Sequence, residues 1–138
     1  MYQKDYILRM AEMIAQTIAG IIGKIIDKDF ESANEELGNI YYDVLREDAS
    51  YFAALPEDEL TNKLLEKHNY TNDHLLILAE LFNAESELAF ARGDKKASLE
   101  YSRKSLIIFE FLDVEMKTYS IERINKMELI KKRIESLK

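Results

Sequence analysis

Apolar residues over positions 3–27 recur at the three- and four-residue spacing of an amphipathic α-helix. The charged residues of this segment collect on the opposite side of the helix. Such a helix lies on a protein core and does not cross a membrane, because a span needs about 20 predominantly apolar residues. The centre of the apolar face is a stripe of isoleucines: Ile7, Ile14, Ile18, Ile21 and Ile25.

Turn residues divide the rest of the chain into further helices. Pro56, followed by three acidic residues, has the position of a first helical residue. Gly93 suits a helix end and Asp94 the next helix start, and so short a link requires antiparallel helices. The break near 118–120 carries neither glycine nor proline, so the last two helices can be separate or continuous. The pattern predicts one all-α domain of five or six helices, over 3–27, 30–47, 56–68, 73–92, 94–113 and 120–137, with a connector over 48–55.

Composition agrees with a globular helical chain and restricts its chemistry. Of 138 residues, 47% are apolar and 33% charged, which is not the composition of a disordered chain. One proline and four glycines offer too little turn chemistry for many short strands. The chain has no cysteine, so disulfides and thiolate sites are excluded. The first ten residues carry charges and no cleavage motif, so we expect no signal peptide and a cytoplasmic protein.

Charge is unevenly distributed along the chain. The net charge of −7 opposes general attraction to nucleic acid, and we expect no nucleic-acid partner. From Lys117 onward, however, seven basic residues stand against three acidic ones. Basic residues near a helix C-terminus suit the helix dipole, which is the simpler interpretation of this segment. The alternative is an electrostatic docking surface.

Residue patterns for catalysis or metal binding are missing from the sequence. The two histidines, His68 and His74, lie six residues apart and share no helical face, so surface or capping roles are expected for them. No glycine-rich phosphate loop or Gly-x-Ser-x-Gly motif occurs. Carboxylates are plentiful, but no pair with contrasting environments is apparent. We therefore expect a non-enzyme without cofactor or metal.

Small residues form a second stripe on the first predicted helix, at every fourth position. Glycine inside a helix is less favourable than alanine by up to about 1 kcal/mol, so its presence calls for a compensating reason. Close approach of another helix, from this chain or from a second copy, supplies one. Together with the isoleucine face and the opposed charges of the two ends, this stripe predicts a homodimer. Its members are Ala11, Ala15, Ala19 and Gly23, with Gly20 beside them.

The segment from Leu78 to Leu112 resembles a tetratricopeptide repeat. It departs from the pattern in having a link one residue shorter and no closing proline. The resemblance implies antiparallel helical hairpins, best defined over 73–113, that bind extended peptides along the first helix of each hairpin. The matching positions are Phe82, Ser86, Gly93, Asp94, Ala97 and Tyr101. Glu80, Asn83 and Glu87 share one face of the first helix and are candidates to line such a peptide groove, but a plain solvated face is the simpler interpretation of these three residues.

The opening segment 1–10 and the stretch 75–81 (Leu-Leu-Ile-Leu-Ala-Glu-Leu) also resemble an uncharacterised family of small bacterial helical proteins. This resemblance covers the whole chain and implies a bacterial cytoplasmic protein of the same architecture. It implies no activity.

Two charged residues interrupt the apolar faces of the predicted hairpin. Glu85 projects from the apolar face of the helix over 73–92, and Lys104 from that of the next helix. Counted from the turn, the two lie at nearly the same height, about 3 Å apart along the axis at 1.5 Å per residue. Because an isolated buried charge is unfavourable, we expect them to pair across the hairpin or to point together into a polar groove.

These observations favour a non-catalytic protein-interaction or adaptor module with a protein or peptide partner. One alternative is a peripheral membrane protein that uses its isoleucine-rich first helix, although basic residues do not dominate that helix's polar face. A small helical enzyme is the other.

Overall fold

The computed structural model describes residues 2–116 and 120–138, and its regular structure there is helical throughout. The all-α prediction is confirmed. Within these ranges there are seven α-helices, one more than the largest number expected, because residues of the predicted connector form a helix of their own. The helices are α1 (Tyr2–Ile26), α2 (Phe30–Ile40), α3 (Ala49–Ala53), α4 (Asn62–His68), α5 (Asn72–Ala91), α6 (Lys95–Glu115) and α7 (Ile121–Leu137).

Helix α1 places its isoleucine stripe in the core, where it packs against α5 and α2. Ile14, Ile18, Ile21 and Ile25 are all buried, while the side chain of Ile7 lies outside the described residues. Lys24 forms an ion pair with Glu36 of α2, which joins the two helices at their polar edge. The face that would have had to enter a lipid surface is thus covered by the chain's own helices.

Helix α2 does not continue to residue 47 as a regular α-helix. It passes into a π-helical turn over Tyr41–Leu45, and Arg46 ends the turn in the left-handed conformation with φ 64°. The wide turn brings both its first and last residues, Tyr41 and Leu45, into the core.

The predicted connector contains the short helix α3, which is fixed by aromatic packing. Phe52 is buried and stacks on Tyr41 with ring centroids 5.6 Å apart. The edge of the Tyr51 ring meets Phe52 at 5.1 Å. Burial of aromatic rings, which sequence periodicity cannot detect in so short a segment, therefore orders α3.

The helix predicted over 56–68 is wrong in its first half. Pro56 has an extended backbone and precedes a single 3₁₀ turn over Glu57–Glu59 instead of starting an α-helix. Thr61, with φ −122° and ψ −98°, then separates this turn from α4. Burial of Leu60 and Leu64 holds both pieces against the core.

Helices α5 and α6 form the predicted antiparallel hairpin. Gly93 adopts φ +84°, and Asp94 caps α6 by accepting a hydrogen bond from the Ala97 amide at 3.0 Å. The interface between the helices is built from fully buried serines. The Ser86 and Ser98 hydroxyls each donate to the other's carbonyl oxygen, at 2.8 and 2.9 Å. Small side chains that satisfy their own polar atoms allow the two backbones to approach closely.

Helix α7 is separate from α6 and packs against it. Ser120 caps α7 by accepting a hydrogen bond from the Arg123 amide at 3.2 Å. Thr118 and Tyr119, where the break was predicted, lie outside the described residues. The buried side of α7 carries Met127, Ile130 and Ile134.

Two isoleucines of α1 provide a matched test of this packing. Ile18 is 3% exposed and Ile26 is 76% exposed. Ile18→Asp places a carboxylate in the apolar core and is expected to prevent folding, and Ile18→Ala is expected to lower the free energy of unfolding by about 2–5 kcal/mol. Ile26→Asp should change it by about 1 kcal/mol or less. Circular dichroism and urea unfolding measure these effects. An Ile18→Asp variant that folds like the parent and loses only liposome binding would show a lipid anchor instead.

Candidate functional site

Helix α7 covers the face of α5 that carries Glu80, Asn83 and Glu87. Both interpretations of this face, as a peptide-binding surface and as a solvated surface, are therefore wrong. Lys126 of α7 donates to both carboxylate oxygens of Glu80, at 2.6 and 2.7 Å. Arg133 pairs with Glu87 at 2.6 Å and also donates to the side-chain oxygen of Asn83. The polar face that the periodicity identified is therefore an intramolecular interface.

The basic residues of α7 explain much of the charge asymmetry along the chain. Besides the two pairs with α5, Arg123 forms an ion pair with Asp113 of α6 at 3.2 Å. Arg123, Lys126 and Arg133 follow helical spacing, so one side of α7 carries the charges that dock it. These three residues form ion pairs with other helices of the chain, in addition to any interaction with the dipole of α7.

Arg133 also reaches the serine interface between α5 and α6. Its Nε donates to the Ser102 hydroxyl at 2.9 Å, and Ser102 in turn is hydrogen-bonded to Ser86. Because the Ser86 and Ser98 protons go to backbone carbonyls, Ser102 donates to Ser86. Sequence reasoning missed this network, although serines at helical spacing on α6 were a visible signal: Ser98, Ser102 and Ser105.

Glu85 and Lys104 do not form the predicted ion pair. The Lys104 ammonium donates to the carbonyl oxygen of Ala53 at 2.7 Å and lies 6.0 Å from the centre of the Phe82 ring. Glu85 instead accepts a hydrogen bond from the Tyr41 hydroxyl at 3.3 Å. Their similar position along the hairpin axis does not pair Glu85 with Lys104, because each has another partner. The carbonyl oxygen of Ala53 in α3 binds Lys104, and the Tyr41 hydroxyl of the π turn binds Glu85.

A groove of about 300 Å³ lies where α2 and α3 face the hairpin of α5 and α6. Four of its eleven lining residues are alanines and six are polar, among them Glu85. Lys104 does not line it but donates a hydrogen bond to the carbonyl oxygen of Ala53, one of the lining residues. The alanines are Ala49, Ala53, Ala89 and Ala97. The polar lining is Asn34, Ser50, Glu85, Arg92, Asp94 and Tyr101.

Burial shapes the electrostatics of this groove. It raises the pKa of the Glu85 carboxyl, and the hydrogen bond from Tyr41 and the charge of Arg92 offset part of the rise. Burial, together with the charge of Glu85, raises the pKa of Tyr101 to about 12. Tyr41, wholly buried, has a raised pKa for the same two reasons. Both phenols therefore stay neutral around a carboxylate that is poorly solvated.

The two histidines lie in an aromatic column away from this groove. His68 shares a hydrogen bond of 2.9 Å with the Tyr51 hydroxyl and stacks on Tyr70 at 4.9 Å. His74 stacks on the other side of Tyr70 at 5.0 Å, and its Nδ1 accepts from the Thr71 amide. Burial lowers the pKa of His74. His74 thus caps the start of α5, and across residues 2–116 and 120–138 no three acidic or histidine side chains are grouped as metal ligands.

Comparison with protein-family models, curated proteins and solved structures gives no match. In the described part of the chain, no helix combines the length and apolarity required to cross a bilayer. The fold is that of an all-α protein in which the hairpin of α5 and α6 faces α2 and α3 across an open, partly polar groove.

Replacing Glu85 by glutamine tests the environment of this residue in the groove. The folded chain holds the Glu85 proton more tightly than the unfolded chain does, so ionisation opposes folding above the raised pKa and has no effect well below the ordinary value of 4.5. Glu85→Gln keeps an acceptor for Tyr41 and should raise the free energy of unfolding at pH 7. This advantage should shrink as the pH falls toward 4.5. Urea unfolding between pH 4.5 and 7.5 measures it.

Glu128→Gln, at an exposed position on α7, removes the same charge outside the groove and serves as the control. Glu128 pairs with Lys131 at 3.6 Å, and an exposed pair of this kind contributes about 0–1 kcal/mol. Its stability should follow that of the parent across the pH range. If Glu85→Gln were the less stable protein at pH 7, the ionised carboxylate would be favourable for folding and this account of the site would be wrong.

Proposed function

We propose that this chain is a non-catalytic protein-interaction module that binds a segment of a partner in the groove between α3 and the hairpin of α5 and α6. The observation that carries the proposal is an open groove of about 300 Å³ with both apolar and hydrogen-bonding groups on its walls. This volume is at the lower end of the range for ligand sites, which suits one or two side chains with their backbone.

Small wall residues support a chain segment as the ligand. Alanine side chains from α3, α5 and α6 line the groove, so an incoming backbone meets little steric obstruction. Asn34 and Ser50 supply uncharged donors and acceptors of the kind that fix the orientation of a bound peptide. We therefore propose a module of the kind predicted from the sequence, but with its binding surface on the α3 side of the hairpin instead of the α7 side.

The arrangement of acidic groups supports binding over acid–base catalysis. Catalysis by two carboxyl groups needs both directed at a substrate, in contrasting environments. Of the carboxylates in the groove lining, Asp94 is engaged by the Ala97 amide as the cap of α6. Glu85 is therefore the one carboxylate of this lining that is left to face a ligand, and a single carboxylate suits binding of a ligand better than catalysis by a pair.

Filling the groove should abolish partner binding. A partner captured from the native host is first identified by mass spectrometry and then purified. Its affinity is measured by calorimetry for the parent, for Ala89→Trp in the groove and for Ala91→Trp. Ala91 is exposed on the same helix and is not part of the lining, so it is the matched control. We expect at least a tenfold loss of affinity for Ala89→Trp and no loss for Ala91→Trp. Circular dichroism verifies that both variants fold, and equal affinities would refute the groove as the binding site.

We also propose that the chain forms a homodimer through the small-residue stripe of α1. Ala11, the first residue of this stripe, is buried in the chain's own core, whereas Ala19 is exposed. A Cβ atom added at Gly20 or Gly23 would meet nothing within 4 Å, so the described residues leave open space beside both glycines. Approach of α1 from a second copy accounts for small residues at these positions.

Two helical glycines in similar surroundings provide the test of dimerisation. Gly23 and Gly38 are both half-buried and both have open space at Cβ, but only Gly23 belongs to the stripe. Either Gly→Gln change should stabilise its helix by up to about 1 kcal/mol. Light scattering at micromolar concentration is expected to give twice the monomer mass for the parent and for Gly38→Gln, and the monomer mass for Gly23→Gln. A monomeric parent would contradict the proposal.

A further inference from the structure

Glu85, one of the residues that line the groove, is a carboxylate without an ionic partner among the described residues. Its direct polar contact there is the Tyr41 hydroxyl, at 3.3 Å, which is a long hydrogen bond from a neutral group. Within the same ranges, no lysine or arginine nitrogen lies within 4.0 Å of the Glu85 oxygens. A half-buried carboxylate of this kind is unfavourable for folding unless a counter-charge arrives.

Two basic residues of the surrounding helices are both held by other groups. Arg92, which also lines the groove, lies 5.8 Å from the centre of the Phe30 ring and donates to the Phe30 carbonyl oxygen at 3.5 Å. Lys104 is bound to the Ala53 carbonyl oxygen. The position beside Glu85 in the groove is thus left for a cation from outside the chain.

The walls around Glu85 also suit a cation with an apolar stem. The alanines provide surface for methylene groups, and Tyr101, which also lines the groove, is an aromatic residue of the type that attracts a positive charge. Lysine and arginine side chains combine these two features. The net charge of −7 adds general attraction for a basic segment.

We propose that the groove recognises a cationic side chain, the ammonium of lysine or the guanidinium of arginine, and that Glu85 is its ion-pair acceptor. This inference rests on the proposed function and specifies the partner segment as one that presents a basic residue. Ala53 and Ala89 flank the stem of the bound side chain, and Tyr101 lies beside its charge.

Short peptides of defined charge test the inference without knowledge of the partner. The probes are acetyl-Ala-Lys-Ala-amide, its arginine counterpart, and the same peptide with norleucine, which has an uncharged stem of similar length. Titration is followed by the ¹H–¹⁵N shifts of the full chain. We expect saturable shifts at the amides of Glu85, Ala89 and Tyr101 with a cationic peptide, and affinity at least tenfold lower for the norleucine peptide.

Two variants separate a specific ion pair from general charge attraction. Glu85→Gln should lower the affinity for the cationic peptides at least tenfold, whereas Glu128→Gln, with the same loss of charge on α7, should leave it unchanged. Equal binding of the norleucine peptide, an unaffected Glu85→Gln variant, or an equal loss in both variants would overturn the inference.

The result is distinguishable from failure of the proposed function. A partner that depends on Ala89 but binds Glu85→Gln as tightly as the parent overturns the cationic ligand and leaves the binding module intact. Conversely, Glu85-dependent binding of the lysine peptide supports the inference even where Ala89→Trp leaves partner binding unchanged, an outcome that removes only the proposed function.

Discussion

The close contact between α5 and α6 is the constraint on which the other elements depend. Four serines lie fully buried along it, and their hydroxyl groups are satisfied by carbonyl oxygens or by one another. A larger apolar residue at any of these positions would separate the helices, while an unsatisfied hydroxyl would be unfavourable in the core. Three of the other helices pack around this pair: α1 and α2 against α5, and α7 against α6. Arg133 connects the contact to α7, because its guanidinium reaches groups on both helices of the hairpin.

Much of the helical architecture could be predicted from the sequence, because long helices impose a period on apolar residues. Ile18 and Ile21 on α1, and the Gly93 turn, were expected where the structure has them. The short elements could not be predicted, since five residues of α3 or three of a 3₁₀ turn are too few to show a period. Their positions are set by burial of Phe52 and Leu60 against distant segments.

The charged residues of the hairpin show a different limit. Helical spacing correctly brought Glu80 and Glu87 to one face, but it cannot tell whether water, a ligand or another helix covers that face. The complementary spacing of Lys126 and Arg133 on the last helix was the signal for coverage. For Lys104 there was no such signal, because its acceptor is the backbone carbonyl oxygen of Ala53, and any residue in the sequence has one.

The position of α3 in the groove wall depends on the number of residues in the π turn over Tyr41–Leu45. A π turn contains one residue more than an α turn would hold, and such insertions are frequently found at functional sites. Tyr41, at its start, supplies the hydroxyl that reaches Glu85, and α3 follows only after the turn has ended. Removal of a single residue here would restore an ordinary helix and rotate every following position by about 100° about its axis. Tyr41 and α3 would then no longer face the hairpin together. The extra residue of this turn, whatever its side chain, therefore sets the rotation of the chain at which α3 lines the groove and the Tyr41 hydroxyl reaches Glu85.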